Sequence, residues 1–222
     1  MFPVARTAAP PAVAGDALRA LLAGPTAAER AAGYRTAVPA GVTLRGLTIR
    51  GGTATVDLTG RFAAGGGSAS MFARLAQLTF TLTRFSTVDR VVLWLDGVPV
   101  RSFSGEGIVI DHPLVRGDYE DQTPAVLPDS PVAYARVGSP MRVCGTANTF
   151  EAVFHLDVRD STGRTVTTAR VQATSGTGTR GTFDVTVRFT GAKPGLGTVI
   201  AWYASPRDGA RVEVATVPIR LG

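Results

Sequence analysis

The residues that could carry chemistry are few and scattered along the 222-residue chain. Its two histidines, His112 and His155, have no histidine or cysteine neighbour at ligand spacing, so we expect no zinc site. Asp111-His112 could form half of a catalytic pair, but a nucleophile would have to come from elsewhere in the fold. We therefore expect both histidines to be solvated surface groups.

The single cysteine, Cys144, lies in an alternating run of residues. A reactive thiolate needs an exposed, electropositive setting, whereas a free cysteine in a strand commonly behaves as a small hydrophobe. We expect Cys144 to lie in the core. With one cysteine no disulfide can form within the chain, which fits a reduced compartment or export from a bacterium that uses few disulfides.

Carboxylates offer the next possible chemistry. A pair held roughly 5–9.5 Å apart can cleave a glycosidic bond, and Asp57 with Asp96 is the pair that we would test. However, Asp96-Gly97 and Asp208-Gly209 are turn sequences, which favours turn and cap roles. Glu151 differs because it lies at the edge of an otherwise apolar strand. We expect it to bond to a neighbouring loop or to contact a ligand.

Two further patterns contain residue types that can bind ligands but lack the spacing of the known motifs. Asp118, Glu120 and Asp121 could gather calcium, but they lack the spacing of a known calcium loop. Gly60 and the run Gly65-Gly66-Gly67 lack the Lys-Ser/Thr end of a phosphate loop. We predict a solvated acidic segment and a flexible connection, with no catalytic residue, no cofactor and no metal.

Aromatic residues are the best candidates for contact with a sugar or a protein partner, because they combine an apolar face with a polar handle. Trp94 shares one strand face with Val92 and is exposed if the helices cover only one side of the sheet. Trp202 and Tyr203 are adjacent, so they must point to opposite faces of a strand. Core packing is the alternative role for both tryptophans. The predicted partner contacts are Trp94, Trp202, Tyr203 and Glu151.

Composition narrows the choice of partner. The formal net charge of +6 favours an anionic surface such as a wall polymer. Of the 23 basic residues 22 are arginine and only Lys193 is lysine, which with the many alanines and glycines is typical of high-GC, actinobacteria-like coding. The arginines are scattered, so we expect no nucleic-acid binding. No stretch approaches the roughly 20 apolar residues of a membrane span.

The N-terminal half mixes helical and strand patterns. Asp16 predicts a helix cap, Thr26 with Glu29 has capping-box spacing, and Gly51-Gly52 predicts a hairpin. The predicted elements are a helix over 17–23, strands over 42–50 and 53–58, a helix from Ser68 or Ser70 to Leu82, a buried central strand over 88–95 and a strand over 98–103. Residues 1–110 are therefore predicted to form a small α/β domain, with one sheet and two helices.

The polar, proline-rich interval 111–130 is predicted to be an interdomain linker. Beyond it the residues alternate between apolar and polar, most clearly over 150–159, which indicates strands with one buried face. Seven strands are predicted, over 131–136, 141–147, 150–159, 165–174, 181–190, 198–204 and 211–221. They fit a seven-stranded immunoglobulin-like β-sandwich over 131–222 that lacks the Cys-Trp-Cys core of antibody domains. The predicted fold class is α+β.

The order of several short motifs resembles two bacterial modules. The N-terminal half is similar to the GerMN domain of spore-germination lipoproteins, through Leu21-Leu22-Ala23-Gly24-Pro25, Val38-Pro39-Ala40-Gly41, Ala54-Thr55-Val56-Asp57-Leu58, Gln77-Leu78, Thr81-Leu82, Phe85, Val88, Val91 and Asp96-Gly97. The C-terminal half resembles the immunoglobulin-like domain of bacterial spore germination, through Gly138-Ser139-Pro140, Val143-Cys144-Gly145-Thr146-Ala147, Phe150-Glu151, Gly181-Thr182-Phe183 and Ser205-Pro206-Arg207-Asp208-Gly209.

This resemblance implies a non-enzymatic, extracytoplasmic protein, usually a lipoprotein, that acts in envelope assembly, sporulation or germination. Its partner would be an envelope protein or a cell-wall polymer. The segment 1–6 lacks the apolar core of a signal peptide, and 2–6 resembles the end of the family's first strand. The residues alone leave two alternatives, a cytoplasmic protein or a chain whose native start lies upstream of residue 1. The resemblance implies the second, with an upstream lipobox that could tether the protein to a membrane. Glycan binding through Trp202 or Trp94, and carboxylate-based hydrolysis, are the alternative functions.

Overall fold

The structure, a computed structural model, describes residues 3–6, 12–105 and 107–222. These residues form two units, one of residues 6–122 and one of residues 123–222 together with 3–5. Phe2 of the predicted segment 2–6 lies outside the described residues. Val4 forms a parallel bridge to Ala133, so this part of the segment pairs within the second unit rather than serving as a strand of the first.

The first unit begins with two helices, α1 (Val13–Ala23) and α2 (Ala27–Ala31). Helix α1 starts four residues earlier than predicted and its cap is Ala12, so Asp16 lies in the first turn, where a negative charge still favours the helix dipole. The predicted capping box is confirmed, because Thr26 and Glu29 each accept a backbone N–H from the other.

The main sheet of the first unit has four strands in the order β1-β2-β3-β4, namely Leu44–Arg50, Thr53–Leu58, Arg90–Leu95 and Val98–Pro99. The predicted β1–β2 hairpin is confirmed, and β3 runs parallel to β2. The crossover between them contains α3 (Ser68–Leu82), whose buried face includes Met71, Leu75, Leu78 and Leu82, as the apolar spacing predicts.

The strand predicted over 98–103 is interrupted. After the Asp96-Gly97 turn, β4 ends at Pro99, which has no N–H to donate to a sheet. The chain then forms a separate two-stranded sheet from β5 (Ser102–Phe103) and β6 (Ile108–Val109). The first unit therefore contains a second small sheet beside the one that was predicted.

The first unit also buries a cation that the sequence pattern did not reveal. Arg74 on α3 is 3% exposed and donates to the carbonyl oxygens of Ala37, Phe62 and Ala64, each at 2.9 Å. Burial lowers the pKa of this guanidinium. Its remaining donors reach Gly65 and Ser70, so one side chain ties α3 to the preceding loop.

The interval predicted as a linker is divided between the two units. Leu114 bridges to Val91, and Tyr119 is 4% exposed within the 3₁₀ segment Arg116–Gln122, which contacts α3. Residues 126–130 instead form β7 of the second unit. The prediction was wrong because a few apolar residues anchor this polar stretch, and the division between the units falls at residues 122 and 123.

The second unit consists of two sheets. One has the order β11-β10-β13-β14-β8 and the other β12-β9-β7. The strands are β7 (Val126–Ser130), β8 (Arg136–Val137), β9 (Met141–Ala147), β10 (Val153–Arg159), β11 (Thr165–Gln172), β12 (Gly181–Val187), β13 (Gly195–Ala204) and β14 (Arg211–Leu221). Phe154 of β10 meets Phe183 of β12 edge to face at 4.9 Å, which joins the two sheets in the core.

The predicted mixed first domain and immunoglobulin-like second domain are confirmed, but the numbers of elements differ. Among its described residues the first unit has three α-helices rather than the predicted two, and two sheets rather than one. The first predicted strand, over 131–136, is replaced by β7 and by the two-residue β8, so the sandwich has eight strands rather than seven. In the part of the chain that the structure describes, none of the helices has both the length and the apolarity to span a bilayer.

Candidate functional site

A strained turn immediately precedes β10. In the 3₁₀ segment Phe150–Ala152, Glu151 has φ 54° and Ala152 has φ 61°, and Thr177 in the facing 173–180 loop has φ 53°. These are left-handed conformations that side chains other than glycine rarely adopt, and each costs roughly 1–3 kcal/mol. Such strain persists only where the surroundings enforce it, and it is concentrated at functional sites.

Backbone hydrogen bonds hold the Phe150–Ala152 turn against the 173–180 loop. The carbonyl oxygen of Thr149 accepts the N–H groups of Ala152 and Thr177, both at 3.0 Å. The N–H of Glu151 donates to the Thr177 hydroxyl at 2.9 Å, which is the loop contact predicted for Glu151, made here by its backbone. A Cβ on Gly176 would lie 2.4 Å from the Thr149 oxygen, so only glycine permits this approach.

The turn presents two side chains outward. Phe150 is 52% exposed, and Glu151 is exposed beside it. Residues 123–222 are all described, and within them Glu151 is the one carboxylate without a hydrogen-bond or ion-pair partner. The turn therefore displays an apolar ring next to an unpaired negative charge on a backbone that is held in place.

Trp202 lies in a polar cluster on the outer face of the five-stranded sheet, which we call the Trp202 cluster (His155, Asp157, Trp202 and Arg211). The His155 ring stacks on Trp202 with centroids 4.2 Å apart, and the Arg211 guanidinium lies 4.3 Å from the indole centroid. The indole N–H donates to Asp157 at 3.0 Å. The indole is half-buried and already has two stacking partners, so it is not a free platform for a sugar.

Asp157 anchors this cluster although it is only 3% exposed. Burial by itself would raise the pKa of Asp157, but hydrogen bonds from Trp202, Thr168 and Arg211 outweigh it and lower the pKa. Burial and the charge of Arg170 lower the pKa of His155, whose Nδ1 is buried without a partner among the described residues. His155 is thus half-buried within a network, and the prediction that it is a solvated surface group was wrong.

The other two aromatic residues predicted to contact a partner, Tyr203 and Trp94, are less accessible to one. Tyr203 packs against the core of the second unit, on the face of β13 opposite to Trp202. Trp94 is half-buried on β3, between Asp57 of β2 and Pro99 of β4. Of the four predicted contacts, Glu151 alone is exposed, and the adjacent Phe150 was missed because it continues the apolar pattern of the strand.

The remaining candidates have their own local surroundings. Cys144 is half-buried on the outer face of β9, opposite Asp184, so its predicted place in the core was wrong: the buried residues of β9 are the alternate ones. His112 is exposed, with Nε2 3.6 Å from Asp111 and 3.9 Å from Asp118. A hydrogen bond with the carbonyl oxygen of Pro113, and then the charge of Asp118, raise the pKa of His112.

Asp57 and Asp96 do come together, through Arg45. The guanidinium lies 3.3 Å from Asp57 and 3.8 Å from Asp96. Asp57 accepts the N–H of Gly97 at 3.1 Å, and Asp96 accepts the N–H of Gly60 at 3.0 Å. Both carboxylates therefore hold turns, which is the role that their sequence context favours.

The predicted acidic segment also has a structural role in part, because Asp118 accepts the N–H of Val115 at 2.8 Å. Across residues 3–6, 12–105 and 107–222, no group of three or more histidine, cysteine, aspartate or glutamate side chains is arranged to hold a metal ion. Asp208 accepts the N–H of Ala210 at 3.1 Å within its turn, as the Asp-Gly sequence predicts.

Comparison with known families matches both units. Residues 2–101 match the family described as "Germane: Sporulation and spore germination", and residues 126–210 match the "Immunoglobulin-like domain of bacterial spore germination". These two matches cover most of the chain and follow the order of the two units.

Two solved structures from Bacillus subtilis are also similar. The first GerMN domain of the sporulation protein GerM is 28% identical, covering 53% of this chain and 86% of that one, with a TM-score of 0.45. The tandem GerMN domains of GerM are 20% identical, covering 99% of this chain and 56% of that one, with a TM-score of 0.44. A search of curated proteins gave no match.

Proposed function

Since residues 2–101 belong to the GerMN family and residues 126–210 to the immunoglobulin-like domain family of bacterial spore germination, we propose that this protein is a non-enzymatic interaction or scaffold protein of the cell envelope. Its place is extracytoplasmic, tethered to a membrane or associated with the wall, and its role is linked to sporulation or germination. The second domain contacts an envelope protein through the Phe150–Ala152 turn.

The observation that carries this proposal is the exposure of Phe150 on a strained but well-bonded turn. Placing a half-exposed aromatic ring in water has no benefit for folding, and two consecutive left-handed residues add an energetic cost. Aromatic residues are enriched where proteins bind one another, and a rigid anchor loses little entropy on binding. The turn has the properties of such an anchor.

Binding of a wall glycan is the second candidate function. It requires an open aromatic face, and the half-buried indole of Trp202 is already stacked with His155 and Arg211. Hydrolysis by Asp57 and Asp96 is a weaker candidate, because both carboxylates are bonded to turn N–H groups and to Arg45. The contacts of these residues favour the protein-binding function over both alternatives.

The experiment places a photoreactive benzoyl-phenylalanine at Phe150 of the full chain in its host, and irradiates intact cells. Leu196 is the matched control position, because it is an apolar residue of the same domain with a similar exposure, 56% against 52%. Leu196 lies at the start of β13, away from the strained turn.

We expect a discrete adduct with one identified protein from position 150 and none from position 196. An adduct that disappears on muramidase treatment would support the glycan function and overturn the proposal. Adducts of equal yield at both positions, or none at position 150, would also overturn it.

A further inference from the structure

The charge balance around the Phe150–Ala152 turn carries information about its partner. Residues 123–222 contain eleven cationic side chains and seven carboxylates. Six of these carboxylates have hydrogen-bond, ion-pair or other electrostatic contacts: Asp129, Asp157, Asp160, Asp184, Asp208 and Glu213. Glu151 has none, although cations are in excess. In such a domain, an unpaired carboxylate that the backbone holds outward is available to a cation from outside.

We propose that the Phe150–Ala152 turn binds an arginine or lysine side chain in a basic segment of the partner protein, an inference that rests on the function proposed above. The Phe150 ring provides an apolar face for the aliphatic stem and attracts the cation through its quadrupole. The Glu151 carboxylate accepts charge-assisted hydrogen bonds from the guanidinium or ammonium group. One side chain type therefore satisfies both groups.

The rigidity of the turn strengthens this match. The N–H of Glu151 is bonded to Thr177, and Ala152 to Thr149, so the backbone that carries both side chains is ordered before the partner arrives. Little entropy is then lost on binding. The net charge of +6 acts in the opposite direction, because it repels polycations from most of the surface. A cationic peptide that binds this chain thus reports a local site.

The probe is an acetylated, amidated eight-residue peptide of alternating arginine and glycine. Its control replaces each arginine by citrulline, which has the same shape but no charge. Both peptides are titrated into the isotope-labelled full chain, and backbone amide shifts are followed at Glu151, Ala152 and Thr177. We expect saturable shifts at these residues with the arginine peptide, and binding that is weaker by about 3- to 10-fold with the citrulline peptide.

Two variants separate the contributions of charge and ring. Glu151→Gln keeps the size of the side chain and should weaken binding by about 3- to 10-fold, as should Phe150→Ala. Asp121→Asn is the matched control, because Asp121 is an exposed carboxylate of the first unit that is also unpaired among the described residues. It should leave the affinity unchanged. Unaltered amide shifts at Thr177 in the free variants verify that the turn is intact.

The outcomes distinguish this inference from the proposed function. If the photoadduct from position 150 persists in a chain that also carries Glu151→Gln, and the arginine and citrulline peptides bind equally well, the turn is a protein-binding site but its ligand is not a cation. Shifts that spread over many carboxylates and survive Glu151→Gln would show only non-specific polycation binding, and so overturn the inference. An absence of shifts at the turn overturns it as well.

Discussion

Two aspartate–arginine pairs join different strands of the second domain, and they differ in burial. Asp157 pairs with Arg211 at 2.8 Å in the Trp202 cluster and is nearly inaccessible, whereas Asp184 pairs with Arg142 at 2.8 Å with both side chains more than half exposed. Both pairs join the same two types of side chain, but the aspartate is exposed to water in only one of them. The two pairs therefore test what burial adds to an ion pair.

We predict that Asp157→Ala lowers the free energy of unfolding of the second domain by about 3 kcal/mol, because Arg211, Thr168 and Trp202 lose their shared acceptor. Asp184→Ala should cost less than about 1 kcal/mol, since water replaces an exposed partner. Urea unfolding of the full chain, followed by amide signals of β10 and β13, measures both. Equal costs would contradict this account of the Trp202 cluster.

Glu29 gives the first domain a specific dependence on pH. Two hydrogen bonds of 2.6 Å from Arg6, partly offset by burial and aided by Thr26, lower the pKa of Glu29 to about 2 from its ordinary 4.5. Because the pKa of the folded state is the lower one, the ionised carboxylate stabilises the fold fully above pH 4.5. This stabilisation is lost as the pH falls towards 2.

Glu29→Gln should therefore destabilise the first domain by about 1–3 kcal/mol at pH 7 and by much less near pH 2. Urea unfolding at pH 7, 4 and 2.5, followed by amide signals of α1 and α3, tests this. Asp16→Asn serves as the control, because Asp16 forms an exposed pair with Arg19 and should change stability little. A cost for Glu29→Gln that does not vary with pH would refute the linkage.

At the scale of the elements, the sequence predicts what is periodic and misses what is held by single contacts. Strands β9 and β14 are predicted to the residue, and β11 nearly so, because alternation with a buried face sets their limits. The strand predicted over 150–159 begins instead at Val153, because three residues form the strained turn. No residue type in that run signals a left-handed backbone, so the candidate site itself could not be located from the pattern.

The Phe150–Ala152 turn also depends on a glycine in another element. Gly176→Ala would place a Cβ 2.4 Å from the Thr149 oxygen and 2.6 Å from Ala152, both of them backbone atoms that cannot move aside cheaply. We predict a loss of at least about 1–3 kcal/mol in second-domain stability, altered amide shifts at Glu151 and Thr177, and loss of the photoadduct from position 150.

Gly138→Ala is the matched control for this substitution. Its Cβ would meet nothing within 4 Å, and Gly138 lies in the same domain without a left-handed φ. It should be neutral or slightly stabilising, since alanine restricts the unfolded chain. If Gly176→Ala proved as mild as Gly138→Ala, the close approach between the turn and the 173–180 loop would not be needed for the native conformation.

At the scale of the whole molecule, a few buried residues, rather than the composition of the segment 111–130, determine which unit each part of that segment belongs to. A polar, proline-rich stretch is typical of a linker, yet Leu114 and Tyr119 are buried in the first unit, and Val126 and Leu127 in the second. Two apolar anchors on each side thus override a composition that predicts open chain. The average composition of residues 111–130 hides these few apolar residues. The predicted boundary at residue 131 therefore leaves β7 outside the second domain.

This difference can be measured by comparing two fragments of the second domain, residues 123–222 and residues 131–222. The shorter fragment lacks β7, whose backbone pairs with β9 and whose residues Val126 and Leu127 are almost fully buried. Its loss opens an edge of β9 and removes two large core contacts, at a cost of about 2–5 kcal/mol or more. We predict dispersed, native-like amide spectra for 123–222, and aggregation or unfolding for 131–222. Comparable urea midpoints for the two fragments would instead show that the domain does not need β7, and would support the domain boundary at residue 131 that the sequence alone predicts.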